Sequence, residues 1–195
     1  MMGAARWSAW IALASIAAAL SLANVGLPEY SQRLHPVALR GANGMPFAFA
    51  FNLFAFVLPG ALLLWAGQRL RHALGDAGWR ARIGIVLVQM SALAFAAQGL
   101  LPLDASDVDS TASRLHALAW MLWWIAFVPG ALLLAVGARR GIAFALACLA
   151  AAVLVPLVAV FAPIGLWVGL AQRCVFALWL GWWLLASGVS TPARG

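Results

Sequence analysis

Six long apolar stretches, separated by short polar ones, dominate the chain. They run from Trp7 to Leu27, Met45 to Gly67, Ile83 to Leu101, His116 to Gly137, Ile142 to Phe161 and Ile164 to Ser187. A helix needs about 20 mostly apolar residues to cross the hydrocarbon core of a bilayer. A strand of a membrane barrel would instead alternate over roughly 10 residues. The stretches are too long and too uniformly apolar for strands. The pattern predicts an all-α fold, an integral membrane bundle of about six transmembrane helices. The spans absorb most of the chain, so residues 1–195 form a single transmembrane domain with short connections.

Composition agrees. Of the 195 residues, 66% are hydrophobic and 9% charged, against roughly 25% charged in an ordinary soluble domain. A soluble fold of this length would leave large apolar patches in water. Lipid removes that constraint.

Charge sets the expected orientation. The basic residues are all arginine, and the formal net charge is +7. With six spans, both termini share a side with the second and fourth connections. That side holds Arg6, Arg69, Arg71, Arg80, Arg82, Arg139, Arg140 and Arg194; the other holds Arg33, Arg40, Arg114 and Arg173. The excess of arginine predicts cytoplasmic termini. Four acids, Glu29, Asp104, Asp107 and Asp109, fall on the outer side and Asp76 on the inner. The arginines are scattered over loops rather than gathered in a stripe, so no nucleic-acid partner is expected. They read as topology signals with some lipid-headgroup contact.

The N-terminal stretch, with Arg6 ahead of it and Ser21-Leu22-Ala23 behind, has the outline of a cleavable signal. Its apolar run is longer than a signal core, and Trp7 and Trp10 read as interfacial anchors, so a retained helix is expected. Cys148 and Cys174 match no metal or redox spacing and read as small packing residues. Pro59, Pro129 and Pro156 lie inside spans, where proline removes a backbone bond. Pro59-Gly60-Ala61-Leu62-Leu63-Leu64 returns as Pro129-Gly130-Ala131-Leu132-Leu133-Leu134. The echo is either a parallel repeat of helical hairpins or compositional accident.

Candidate chemistry gathers toward the outer side. Asn24 and Gln98 lie near the outer ends of their spans, Asn52 about two turns inside the second, and His116 at the start of the fourth. Gln172 and Arg173 lie a little over two turns into the sixth, and Asp104 just past the third. An arginine within a span costs about 2.5–3.5 kcal/mol at the bilayer centre on insertion scales, and less near the interface. A carboxylate is its cheapest relief, and Asp104 is the best placed. The expected site is an outward-facing pocket of Asp104, His116, Arg173, Asn52 and Gln172. The competing reading is an arginine that snorkels to headgroups. Asp107, Asp109 and Ser110 read as the start of the fourth helix. The histidines form no metal motif, and no nucleotide or cofactor pattern is present, so no metal and no cofactor is expected. Trp120, Trp123, Trp124, Trp179, Trp182 and Trp183 read as belt or packing aromatics rather than as a ligand-stacking wall.

These positions carry a resemblance. Tyr30-Ser31 after the first span, Phe51-Asn52 in the second, Leu101-Pro102-Leu103-Asp104 after the third, His116 opening the fourth and Gln172-Arg173 in the last resemble the bacterial six-helix membrane family known as domain of unknown function 998. The resemblance covers nearly the whole chain. Leu101 stands where that family usually has an aromatic, and the residues after Ser31 depart from its acidic-Leu-Gly pattern. The resemblance implies a multi-pass protein of the bacterial cytoplasmic (inner) membrane and weight on Asp104 and His116. It implies no reaction.

Three functions follow as expectations. One is a module that binds or transports a small molecule or lipid headgroup, with membrane lipids as its other partners. Another is a structural or accessory protein. The third is an intramembrane enzyme using Asp104 and His116 as an acid/base pair. The orientation is testable first: reporters fused at residues 75 and 195 should both score as cytoplasmic, and a periplasmic score at either would reverse the assignment.

Overall fold

A computed structural model of the chain describes residues 2–75, 77–161 and 164–188. Asp76 and Arg194, counted above for orientation, lie outside the described residues. Helices at Ala48–Leu74, Trp79–Leu100, Thr111–Gly137, Ile142–Phe161 and Trp167–Gly188 are long and apolar enough to cross a membrane. The first is shorter, with its apolar stretch at Ala5–Ser21. The chain is thus an all-helical, multi-pass membrane bundle. The helices form a closed ring in chain order. Each packs on its neighbours in sequence, and the sixth returns to the first. One end of the ring carries segments 22–47 and 101–110 (the loop end). The other carries Arg69, Arg71, Arg80, Arg82, Arg139 and Arg140 (the arginine end).

The boundaries depart from the apolar pattern where polar side chains take part. The first helix spans Met2–Ser21 rather than 7–27. Beyond it the chain tightens into turns, Ala23 N–H to Leu20 C=O and Leu27 N–H to Asn24 C=O, and Gly26 takes a positive φ of 75°. The fourth helix begins at Thr111, more than a turn before His116, because the Ser110 hydroxyl accepts from Ser113 N–H and caps it. The second runs on to Leu74, since Arg69, Arg71 and His72 continue it into the polar zone.

Within the second span, Leu53–Val57 widens into a π turn. Leu58 N–H reaches Leu53 C=O, five residues back. The next bond of that register would reach Phe54 C=O from residue 59, which is proline and has no N–H. The Ser15 hydroxyl on the first helix donates to Phe54 C=O instead, at 2.6 Å. A backbone group in lipid must find a partner inside the protein, and here a neighbouring helix supplies it.

The interior of the ring is aromatic. Phe56, Phe95, Phe127, Trp123, Trp179, Trp182 and Trp183 are buried and meet in tilted or edge-to-face pairs. These tryptophans are core packing rather than a belt, whereas Trp7 and Trp10 are exposed. Cys148 is buried and Cys174 exposed, both as free thiols; the Trp182 indole N–H donates to Cys148 Sγ.

The third helix is the hub. A Cβ on Gly60 would stand 2.7 Å from Ala96 N and 2.8 Å from Ala92 O. One on Gly130 would stand 3.0 Å from Gly84 O and 2.8 Å from a Val88 methyl. Both Pro-Gly segments therefore press on the third helix. Ala92 and Ala96 lie eight residues beyond Gly84 and Val88, roughly 12 Å at about 1.5 Å per residue. A repeat carrying the first pair of spans onto the second would set Gly60 against the first helix. Pro59 is buried and Pro129 exposed. The echo thus marks two close contacts with one helix at different depths, not equivalent positions of a repeat.

Gly60→Ala should cost about 1–3 kcal/mol, the usual range for overpacking. Gly181→Ala, whose Cβ meets nothing within 4 Å, should be neutral or slightly stabilising. Thermal unfolding in detergent compares them, and equal melting temperatures would refute the close-contact account.

Candidate functional site

The first connection, residues 22–47, folds down onto the loop end of the ring. Tyr30 is 2% exposed and Arg40 2%, which is unusual burial for a loop. Each buried group is met. Arg40 donates from Nε to Ala23 C=O at 2.6 Å, from Nη2 to Val25 C=O at 3.0 Å, and from Nη1 to Pro46 C=O. One guanidinium thus gathers three carbonyls from both arms of the loop. Tyr30 hydroxyl donates to Pro36 C=O at 3.1 Å, and Asn24 Nδ2 donates to Tyr30 C=O.

Side chains from the spans then hold this loop. Asn52 is buried and donates from Nδ2 to Gly41 C=O at 2.8 Å. A Cβ on Gly41 would fall on the Asn52 amide, so the contact requires glycine. Gln172 Oε1 accepts from Val37 N–H at 2.7 Å. Arg173 donates from Nε to Gln32 Oε1 at 2.8 Å, from Nη2 to the Tyr30 oxygen at 3.0 Å, and from Nη1 to Gly169 C=O at 2.7 Å.

The sixth helix is shaped to receive the loop. Trp167 breaks its regular backbone, with φ −145° and ψ 25°. Leu170 N–H donates to Arg33 C=O at 3.1 Å, a bond from helix to loop. The Arg33 guanidinium lies 3.4 Å above the Trp167 ring centre, an attraction of charge to the π face. Gly169 lies so close to the His35 and Gln32 carbonyls that no side chain fits between.

The third connection is held largely by its own side chains and by Ser113 of the fourth helix. Asp104 Oδ1 accepts from Ser106 N–H at 2.9 Å and from the Ser106 hydroxyl at 2.6 Å. These bonds, the hydroxyl foremost, hold the carboxyl below its ordinary pKa. Their small contribution is present above the ordinary carboxylate pKa and fades as pH falls through the depressed value. Ser113 hydroxyl donates toward the Asp104 and Asp107 carbonyls. Asn43 N–H to Leu103 C=O, at 2.9 Å, ties this loop to the first.

His116 is buried one turn into the fourth helix. Its Nδ1 lies 2.9 Å from Leu101 C=O and 3.1 Å from Gln98 C=O. Both are acceptors, so Nδ1 carries a proton and Nε2 is the acceptor of the neutral ring. The histidine thus caps the third helix, whose last carbonyls have no partner of their own.

Beside it lies a cavity of about 210 Å³. Gln98, His116 and Gln172 supply its polar lining, and Phe56, Trp120 and Phe176 its aromatic wall. Pro36, Ala38 and Leu103 of the two loops complete it. Gln98 is 1% exposed, and its Nε2 has no hydrogen-bond partner. An unmet buried donor costs about 1–3 kcal/mol.

Of the five expected site residues, His116 and Gln172 share this cavity. Asn52 and Arg173 are spent on the first loop, and Asp104 on its own turn. Asp104 forms no bond to Arg173 among the described residues. Gln32 and Tyr30 reach the guanidinium first and hold it with neutral groups. Nor does Asp104 orient His116, so the acid/base pairing has no geometric basis. Arg40, Phe56 and Phe176 were not singled out from the sequence, and Trp120, read there as a belt or packing aromatic, lines the cavity. Arg40 reads as an ordinary loop charge until the chain reversal that collects its three carbonyls is seen.

Arg173→Met should lower stability by about 1–3 kcal/mol, because it leaves Gln32 Oε1 without its donor and unties the first loop from the sixth helix. Asp104→Asn keeps the Oδ1 acceptor and should leave the melting temperature unchanged. Thermal unfolding of both variants in detergent checks this, and a larger loss for Asp104→Asn would restore the ion pair.

Comparison with protein-family models, with curated proteins and with solved structures finds no match to this chain.

Proposed function

We propose that this protein binds a small uncharged molecule in the cavity between Gln98, His116 and Gln172, at the outer face of a bacterial cytoplasmic membrane. The observation that carries the reading is the buried, unmet Gln98 Nε2 beside that space. A carbonyl or hydroxyl oxygen of a ligand would accept from it. His116 Nε2 offers an acceptor. Gln172, its Oε1 engaged by Val37, offers its amide N–H groups. Phe56, Trp120 and Phe176 suit an apolar body. A charged ligand fits poorly, since no arginine or carboxylate lines the cavity among the described residues, and Arg173, next to Gln172 in the chain, is already engaged. The cavity is small and sits at one end of the ring, which favours binding over a permeation path.

The outward placement rests on the arginine asymmetry, which also makes both termini cytoplasmic in this reading. Membership of the domain of unknown function 998 family belongs to the same proposal. In its support, the motif positions Tyr30, Asn52, Gln172 and Arg173 have a common physical purpose in securing one loop. That use of polar groups also favours a second reading, a structural or accessory protein whose cavity holds only water.

Native mass spectrometry of the detergent-purified protein separates the two. The binding reading expects a small-molecule adduct on the wild type. It should be lost in Ala38→Phe, which fills the cavity from the loop, and in Gln98→Met, which removes the donor. Gln98→Met should melt at or above the wild-type temperature, because it also removes an unmet polar group. No adduct on the wild type, or an adduct unchanged in both variants, would leave the structural reading in place.

A further inference from the structure

A second cavity lies at the arginine end of the ring, opposite the one just discussed. It holds about 310 Å³ and is lined by Arg69, His72, Arg140 and Ser187 against an apolar wall that includes Leu70 and Ala73. No carboxylate lines it among the described residues. Arg69 and Arg140 thus line one space, where a single anion can accept from both.

The side chains are already held in place. Arg140 is 6% exposed. Its Nη1 donates to Ala186 C=O at 2.8 Å, and its guanidinium carbon lies 5.4 Å from the Phe144 ring centre. Arg69 stands 4.9 Å from the Trp65 ring centre, and its buried Nε has no hydrogen-bond partner. Gln89 Nε2 donates to Gln68 Oε1 at 3.1 Å. This turns Gln68 Nε2 toward His72 Nε2, at 3.4 Å. His72 Nε2 is then an acceptor, and the ring proton sits on Nδ1, where it can be donated. The pocket therefore offers hydrogen-bond donors from two arginines and a histidine.

We propose that this pocket binds a phosphate group, through charge-assisted bonds from Arg69 and Arg140. Arginine matches a phosphate's oxygens with two parallel N–H groups. The pocket sits where the helices leave the apolar zone, the level at which phospholipid phosphates lie. The shared chemistry is a phosphate mono- or diester, borne by a lipid headgroup or by a soluble molecule.

Binding is measured on the full chain in dodecylmaltoside, by native mass spectrometry and by shift of melting temperature. The added probes are inorganic phosphate, phosphatidylglycerol, and diacylglycerol as the phosphate-free control. Chloride is used to match ionic strength. Phosphatidylglycerol bound with phosphate ineffective identifies the lipid source, and phosphate bound on its own identifies the soluble one. Diacylglycerol should do nothing. Arg69→Gln should weaken binding about tenfold or more, the worth of one charge-assisted hydrogen bond. Ala73→Phe, which fills the pocket and leaves every charge in place, should weaken it as well and serves if Arg69→Gln folds poorly. Arg71→Gln, an exposed arginine at the same end that does not line the pocket, should bind as the wild type does. The proposal is overturned if neither probe binds, if diacylglycerol binds as well as phosphatidylglycerol, if Ala73→Phe and Arg69→Gln bind normally, or if Arg71→Gln loses as much as Arg69→Gln.

Discussion

A polar group held inside an apolar bundle must find its partner within the protein, because no water is at hand to replace one. That constraint organises this molecule. Proline at residue 59 leaves Phe54 C=O unmet, and Ser15 on another helix answers it. The end of the third helix leaves carbonyls unmet, and His116 answers them. The folded first loop buries its own backbone, and Arg40, Asn52, Gln172 and Arg173 answer that. Ser15, Asn52, His116 and Gln172 are thus the counterparts of backbone groups displaced elsewhere.

The two ends of the ring solve the problem differently. At the loop end, the Arg40 and Arg173 donors are satisfied by carbonyls, a hydroxyl and an amide, and the leftover capacity is uncharged, the amides of Gln98 and Gln172 and His116 Nε2 beside a small cavity. At the arginine end, Arg69 and Arg140 line one cavity with no carboxylate in its lining among the described residues, so its chemistry suits an anion. A neutral ligand suits the first remainder and a phosphate the second. Between them lies a core of interlocked aromatic rings.

Close approach of helices depends on the third span. Gly84 on it and Gly60 and Gly130 on its neighbours allow backbone to meet backbone. In lipid, where hydrophobic association is weak, such contacts drive helix pairing. The Pro-Gly-Ala-Leu-Leu-Leu echo is explained by this demand rather than by a duplicated architecture. Each copy places a glycine against the hub, at a different height.

The chain's own order of residues settled the class of fold and most of its spans. Twenty or so consecutive apolar residues have one stable arrangement in a bilayer, and that rule is local. The fifth span, Ile142–Phe161, follows the apolar pattern to the residue. Ser110 as a helix start was equally legible, because a cap acts within one turn. The early end of the first helix was not, since it depends on Asn24 and Gly26 serving a loop that returns over the bundle. The sequence also marked Asn52, Asp104, His116, Gln172 and Arg173 as polar groups at one end. Which of them would meet was decided only by tertiary structure. A charge takes the partner that reaches it first. Arg173 is reached by Gln32 and Tyr30 because residues 22–47 fold inward, and that fold is set by contacts between residues more than a hundred positions apart. Asp104, with Ser106 two residues away, had its partner from the start.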